Sequence, residues 1–162
     1  NAVALPPPAD LAEVIPIVSP STAMDAVHIR PASIIETIQI PASRLPDSRP
    51  RPLPKYAHWH RFLAIRADTQ ESAAMDPLLL PGAIVVLDRH YNSLAPHRPH
   101  QRTLFAVRSS AGLVLRYVEF DDGSLILRPC SLAFPILVIS PDPHETPADY
   151  IVGRVCLILS EC

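Results

Sequence analysis

Glycine is scarce, four in 162 residues. Neither a Gly-rich phosphate loop nor the motifs H-E-x-x-H and G-x-S-x-G can be found. Cysteine is equally sparse. Cys130, Cys156 and Cys162 have no C-x-x-C spacing, and an odd count without a secretory leader suggests free thiols in a reducing cytoplasm. No apolar run approaches the ~20 residues of a membrane-spanning helix. The N-terminus has neither a charged n-region nor an apolar h-region, so secretion has no support. Charge of neither sign dominates: 14 Lys and Arg stand against 16 Asp and Glu, a net charge of -2. No basic field therefore marks this segment itself as a nucleic-acid binder.

What the chain does have is proline, 20 of 162 residues, against about 5% in average usage. Long helices are hard to place between so many prolines, which favours a mainly β domain. With 48% hydrophobic and 19% charged residues the composition is globular, and the length suits one domain. Residues 3–13, with Pro6, Pro7 and Pro8 in succession, read as an extended linker holding at most a short helical turn over residues 9–13. Asn1 and Ala2 lack an initiator Met and read as a vector remnant ahead of a fragment of a longer protein. The expected division is a linker or tag remnant over 1–13 and a single domain over 14–162.

Residues 61–89 organise the rest. Phe62, Ala64 and Ile65 open an apolar strand that ends in the polar turn Asp68-Thr69-Gln70-Glu71-Ser72. Ala74-Met75-Asp76-Pro77, a leucine run and the turn Pro81-Gly82 follow, and then a buried strand over 84–87 that Asp88 ends. Residues 14–19 read as a first strand, confined to a sheet edge by Pro16. Residues 33–40 read as a second, closed by Pro41. Residues 103–108 and 113–120 alternate about the turn 109–112, and Asp-Gly at Asp122-Gly123 leads to a further strand over 124–128. Strands are also expected over 134–139 and 150–159.

Other clusters carry less. Arg44, Arg49, Arg51 and Lys55 lie in a Pro-rich loop, which reads as a solvated loop or as an arm for a phosphate or a partner. His58 and His60, at i and i+2, would share a strand face and could form a metal pair, but no third ligand stands at a familiar spacing. His90, His97 and His100 read as surface residues, and Trp59 as a packing anchor. No metal and no cofactor is expected.

The order of Ala74-Met75-Asp76-Pro77, Pro81-Gly82, the strand ending in Asp88, the hairpin 113–129 and the strand around Gly153 resembles the C-terminal domain of LexA-type and phage repressors. Those are self-cleaving serine-lysine peptidases. The resemblance covers residues 14–159. It implies a LexA- or signal-peptidase-like fold of several small, twisted antiparallel sheets, and a homodimer built through the last strand, with Val152, Gly153 and Val155 as contact candidates. It also implies DNA contact through a helix-turn-helix domain preceding residue 1.

Carried over residue by residue, the nucleophilic serine falls on Ala74 and the general-base lysine on Arg116. The scissile bond falls at Ala23-Met24, where the family has glycine second. A methyl group cannot attack a carbonyl, and a guanidinium stays protonated and cannot accept a serine proton. Ser72 and Thr69 are the nearby hydroxyls, and neither has an obvious base. Arg116 is then expected to pair with a carboxylate such as Asp68, Glu71 or Glu119, or to hold an acidic ligand or tail in the vestigial cleft. The expected function is a regulatory and dimerisation domain that has lost self-cleavage. The alternatives are an active self-cleaving peptidase, using Ser72 or a natural serine at position 74, and a ligand- or peptide-binding module.

Overall fold

The alternating runs fold as strands in a computed structural model that describes residues 11–46, 52–94 and 102–160. These are β1 (Ala12–Ile17), β2 (Glu36–Pro41), β3 (Phe62–Arg66), β4 (Ile84–Asp88), β5 (Leu104–Ser109), β6 (Gly112–Asp121), β7 (Ser124–Arg128), β8 (Leu137–Ile139) and β9 (Ile151–Leu159). The mainly β class is as expected, but the strands do not form several small antiparallel sheets. They join into one nine-stranded sheet in the order β2-β1-β3-β4-β9-β5-β6-β7-β8. The last strand is the reason. β9 is hydrogen-bonded to β4 on one side and to β5 on the other, which fuses the two halves.

The sheet is mixed because β1 meets β3 in parallel through the bridge Ile17↔Ala64. This corrects the expectation that Pro16 confines its strand to an edge. The Ile17 carbonyl accepts from Ile35 N on the β2 side, so Pro16 faces β3. There its missing N–H cannot extend the ladder beyond that bridge. β2 takes the edge instead. β1 also begins at Ala12, inside the stretch expected to be linker; residues 1–10 lie outside those described. The strand expected over 33–40 starts only at Glu36, because Pro31–Ser33 forms a 3-10 turn.

Two six-residue α-helices break the pattern among the described residues. α1 (Pro20–Asp25) starts where the Ser19 hydroxyl accepts from Thr22 N and proline occupies the first turn. α2 (Thr69–Ala74) replaces the polar turn expected at 68–72. The Asp68 carboxylate accepts from Glu71 N at 2.7 Å, a charge-assisted N-cap.

One sheet face buries Leu63, Ile65, Val85, Leu87, Leu115 and Val152 against Ala23 of α1 and against Met75 and Leu79 after α2. Each large aliphatic side chain so buried contributes roughly 1.5–3 kcal/mol. The alternate residues face the other way and form two smaller clusters. One is built on Ile15, Ile17, Ala64 and Val86, the other on Phe105, Val114, Leu125 and Leu127. Asp88 is fully buried and continues the row of Ile84 and Val86. Arg61 clamps it with Nε on Oδ1 and Nη2 on Oδ2, both at 3.1 Å.

Gly153 sits where β9 crosses close to β4. A Cβ there would stand 2.6 Å from the Asp88 carbonyl oxygen. Gly153→Ala is therefore expected to destabilise the fold by about 1–3 kcal/mol through overpacking, read as a lower urea midpoint at unchanged m-value.

Candidate functional site

Position 74, where the resemblance places the nucleophile, closes α2 and is fully buried. Its carbonyl accepts from both Cys130 N and Ser131 N at 3.0 Å. The chain leaving β7 is thus stitched to the end of α2, and the backbone around position 74 is held on two sides.

Arg116 stands on β6, 5% exposed. Its Nη1 donates to Glu71 Oε2 at 2.7 Å and to the Leu115 carbonyl at 2.8 Å. Among the three carboxylates weighed from sequence, Glu71 is the partner. The same Glu71 Oε2 accepts from Leu115 N at 3.0 Å. That N–H lies beyond the β6–β7 ladder, whose last pair is Tyr117↔Arg128. Glu71 thus does two jobs: it neutralises a buried guanidinium and completes the hydrogen bonding of a strand after its neighbour has turned away. Arg116 Nε has no partner among the described residues.

The nearby hydroxyls are not poised for attack. Ser72 is buried and its hydroxyl donates to the Thr69 carbonyl at 3.0 Å. Thr69 is exposed at the first position of α2. Among the described residues, no side-chain base is hydrogen-bonded to either one.

Ala23 and Met24 lie inside α1, not in an open loop. Ala23 is fully buried, and α1 packs against β6 and β3. Arg89, which follows β4 and is itself fully buried, donates to the carbonyls of Ala23 (3.2 Å), Ala26 (2.6 Å), Val27 (3.3 Å) and His60 (2.9 Å). Its guanidinium lies over the Trp59 ring, 4.9 Å from the centroid. Burial pushes its pKa down to about 10, which leaves it charged at neutral pH. Arg108 adds a bond from Nη2 to the Met24 carbonyl at 2.6 Å and an ion pair from Nη1 to Asp25 at 2.8 Å. Sequence reasoning missed both arginines as ties, because a charge at a strand end reads as solvated.

Val152 and Gly153, expected to meet a second copy, are buried inside this chain at the centre of the sheet. Val155 differs. β5 pairs with β9 only from Ile151 to Arg154, so beyond Arg154 no described strand lies against that side of β9. A groove opens there, lined by Val155 and its successors to Ile158. Cys156 lies in it. Burial, with the nearby Asp88 carboxylate, pushes that thiol up to about 12, so it stays protonated. Cys130 and Cys156 are free thiols; Cys162 lies outside the described residues.

The histidine pair is not on a strand. His58 and Trp59 lie in the turn after the 3-10 segment Pro54–Tyr56, so alternation does not put His58 and His60 on one face. Burial, then the Arg89 charge, lowers the pKa of His60, which favours the neutral ring. His90 Nε2 donates to the Trp59 carbonyl at 2.6 Å. His97 and His100 lie outside the described residues. Among those described, no three His, Cys, Asp or Glu side chains gather as a metal site. Trp59 packs edge-on to Tyr56 with ring centroids 5.2 Å apart. Of the basic loop, Lys55 pairs with Asp149 and Arg44 ends a 3-10 turn, while Arg49 and Arg51 lie outside the described residues. No described helix is long and apolar enough to cross a membrane.

No protein-family model matches this chain, and no curated protein matches it either.

Proposed function

We propose that this chain is a LexA-like regulatory and dimerisation domain of a transcriptional repressor, in which the base position of the self-cleaving dyad has become part of a structural clamp. The reading rests on the sequence resemblance over residues 14–159 and on one observation, the Glu71–Arg116 pair. Where the family needs a neutral amine, this chain has a guanidinium bonded to a carboxylate at 2.7 Å. That arrangement suits a fixed ion pair and cannot accept a proton. DNA contact would come from a helix-turn-helix module ahead of residue 1. The second copy that the resemblance implies would not meet Val152 or Gly153, which are buried within this chain.

Incubation at alkaline pH, followed by mass spectrometry, tests the loss of chemistry. The intact mass is expected to persist. A cut between Ala23 and Met24 that disappears in Ser72→Ala would instead establish an active peptidase. Light scattering over a concentration series tests the dimer, and a persistent monomer would remove that half of the reading.

A second reading, a module that holds its own segment near Ala23 as a bound peptide, has a specific observation in its favour. Arg89 and Arg108 together bind carbonyls of Ala23, Met24, Ala26 and Val27. An effector that competed for this segment would expose it to protease.

A further inference from the structure

The groove beside β9 contains a cation whose side chain has no hydrogen-bond or ion-pair partner among the described residues. Arg154 is 6% exposed. Its guanidinium lies over the Tyr91 ring, 4.5 Å from the centroid, and Tyr91 in turn stacks on Phe105. Neither an ion pair nor a hydrogen bond joins the Arg154 side chain to another described residue. The obvious carboxylate is Asp88, its cross-strand neighbour, and both Asp88 oxygens are taken by Arg61. Glu119, on the next strand but one, pairs with Arg128 at 3.1 Å.

A second arginine faces the same space. Arg102 is exposed and lies over the Tyr117 ring, 5.6 Å from the centroid. It stands three residues before Phe105, the cross-strand partner of Arg154. The groove that the two arginines share has a volume of about 480 Å³, with Leu78, Leu104 and Ile158 as apolar walls.

We propose that this groove is a binding site for a small oxyanion, a carboxylate or a phosphate, with Arg154 as its anchor. A mostly enclosed guanidinium with no acceptor among the described residues gains a charge-assisted partner when an anion enters the groove. Its planar fork matches either oxyanion in a bidentate pair. Stacking on Tyr91 fixes the plane of that fork before binding, so less side-chain freedom is lost when the anion docks. Arg102 supplies a second charge from the solvent side, and the leucines and Ile158 accommodate the apolar part of an organic acid or ester. The site is separate from Ala74 and Arg116 and does not depend on the peptidase resemblance.

Calorimetric titration of the chain with succinate, and separately with inorganic phosphate, tests it. Saturable binding of at least one is expected; succinate alone would indicate an organic acid and phosphate alone a phosphate ester. Arg154→Met should abolish binding and Arg102→Met should weaken it about tenfold, the loss of one exposed charge-assisted contact. Arg66→Met, in an exposed ion pair with Glu36 on β2, should leave it unchanged. Arg154→Lys keeps the charge but not the fork, and should also bind at least about tenfold more weakly. It keeps the test open if the methionine variant fails to fold. The proposal is overturned if neither anion binds at concentrations on the order of 10 mM, if Arg154→Lys binds as the unaltered chain does, or if Arg66→Met weakens binding as much as the groove variants. Calorimetry reads the anion directly, so its failure is distinct from failure of the dimer.

Discussion

Arg89→Met should lower the unfolding free energy by about 3–5 kcal/mol, the range for breaking a buried charge network from one side. The geometry explains the size. Arg89 donates to carbonyls from Ala23, Ala26, Val27 and His60, three of them in or just after α1. A helix leaves its last carbonyls without intrahelical donors, and here a guanidinium satisfies them in place of water. Methionine fills much of the volume but donates nothing, so the carbonyls would be stranded beside the Trp59 ring. Arg89→Lys should recover only part of the loss, because an ammonium is a point charge and cannot span acceptors on separate segments as the fork does. Urea unfolding gives the magnitude, and limited proteolysis gives the location. In Arg89→Met the first cuts are expected within residues 20–30, since α1 loses the tie that holds it on the sheet. A loss below about 1 kcal/mol would mean that water reaches these carbonyls as easily as arginine does.

Much of the fold was legible because it is local. The hairpins β5–β6 and β6–β7 follow from alternation and turn chemistry. Asp122 and Gly123 take positive φ, 49° and 76°, as an Asp-Gly hairpin turn requires. The strand ending at Asp88 was equally plain, since a run of β-branched residues closed by a charge has few other readings. What could not be read depends on partners distant in sequence. Pro16 reads as an edge residue until the one-bridge contact with β3 is known. Residues 69–74 read as a turn although Asp68 three residues before Glu71 is a local helix-start signal; the tie of Glu71 to Arg116, 45 residues away, left no such sign. The same holds for the candidate site. The carboxylate partner of Arg116 could be narrowed to Asp68, Glu71 and Glu119 but not chosen. The role of Arg154 left no local signal, since no motif distinguishes an arginine that stacks on Tyr91 from one that points to water.

The Glu71–Arg116 clamp should behave differently when broken from one side and when removed whole. Glu71→Leu leaves a guanidinium at 5% exposure without its counter-ion and leaves Leu115 N without an acceptor. A loss of about 3–5 kcal/mol is expected. Arg116→Met strands the carboxylate, but Glu71, more exposed than Arg116, turns to solvent more easily, so about 2–3 kcal/mol is expected. In the double variant the uncompensated charge disappears, and the sum of the single losses should not be reached. A coupling of about 2 kcal/mol or more in the double-mutant cycle would identify the pair as one unit. Additive losses would mean that each residue acts through its own backbone contact, Arg116 with Leu115 O and Glu71 with Leu115 N. The same pair governs any attempt to restore chemistry. Ala74→Ser with Arg116→Lys would rebuild both members of the dyad, yet no self-cleavage is expected. A carboxylate within hydrogen-bond reach favours the ammonium form of that lysine, the opposite of what a general base needs. Only when Glu71→Gln is added should slow cleavage at alkaline pH become detectable by mass spectrometry. Cleavage in the double variant without it would show that Glu71 does not govern the charge at position 116.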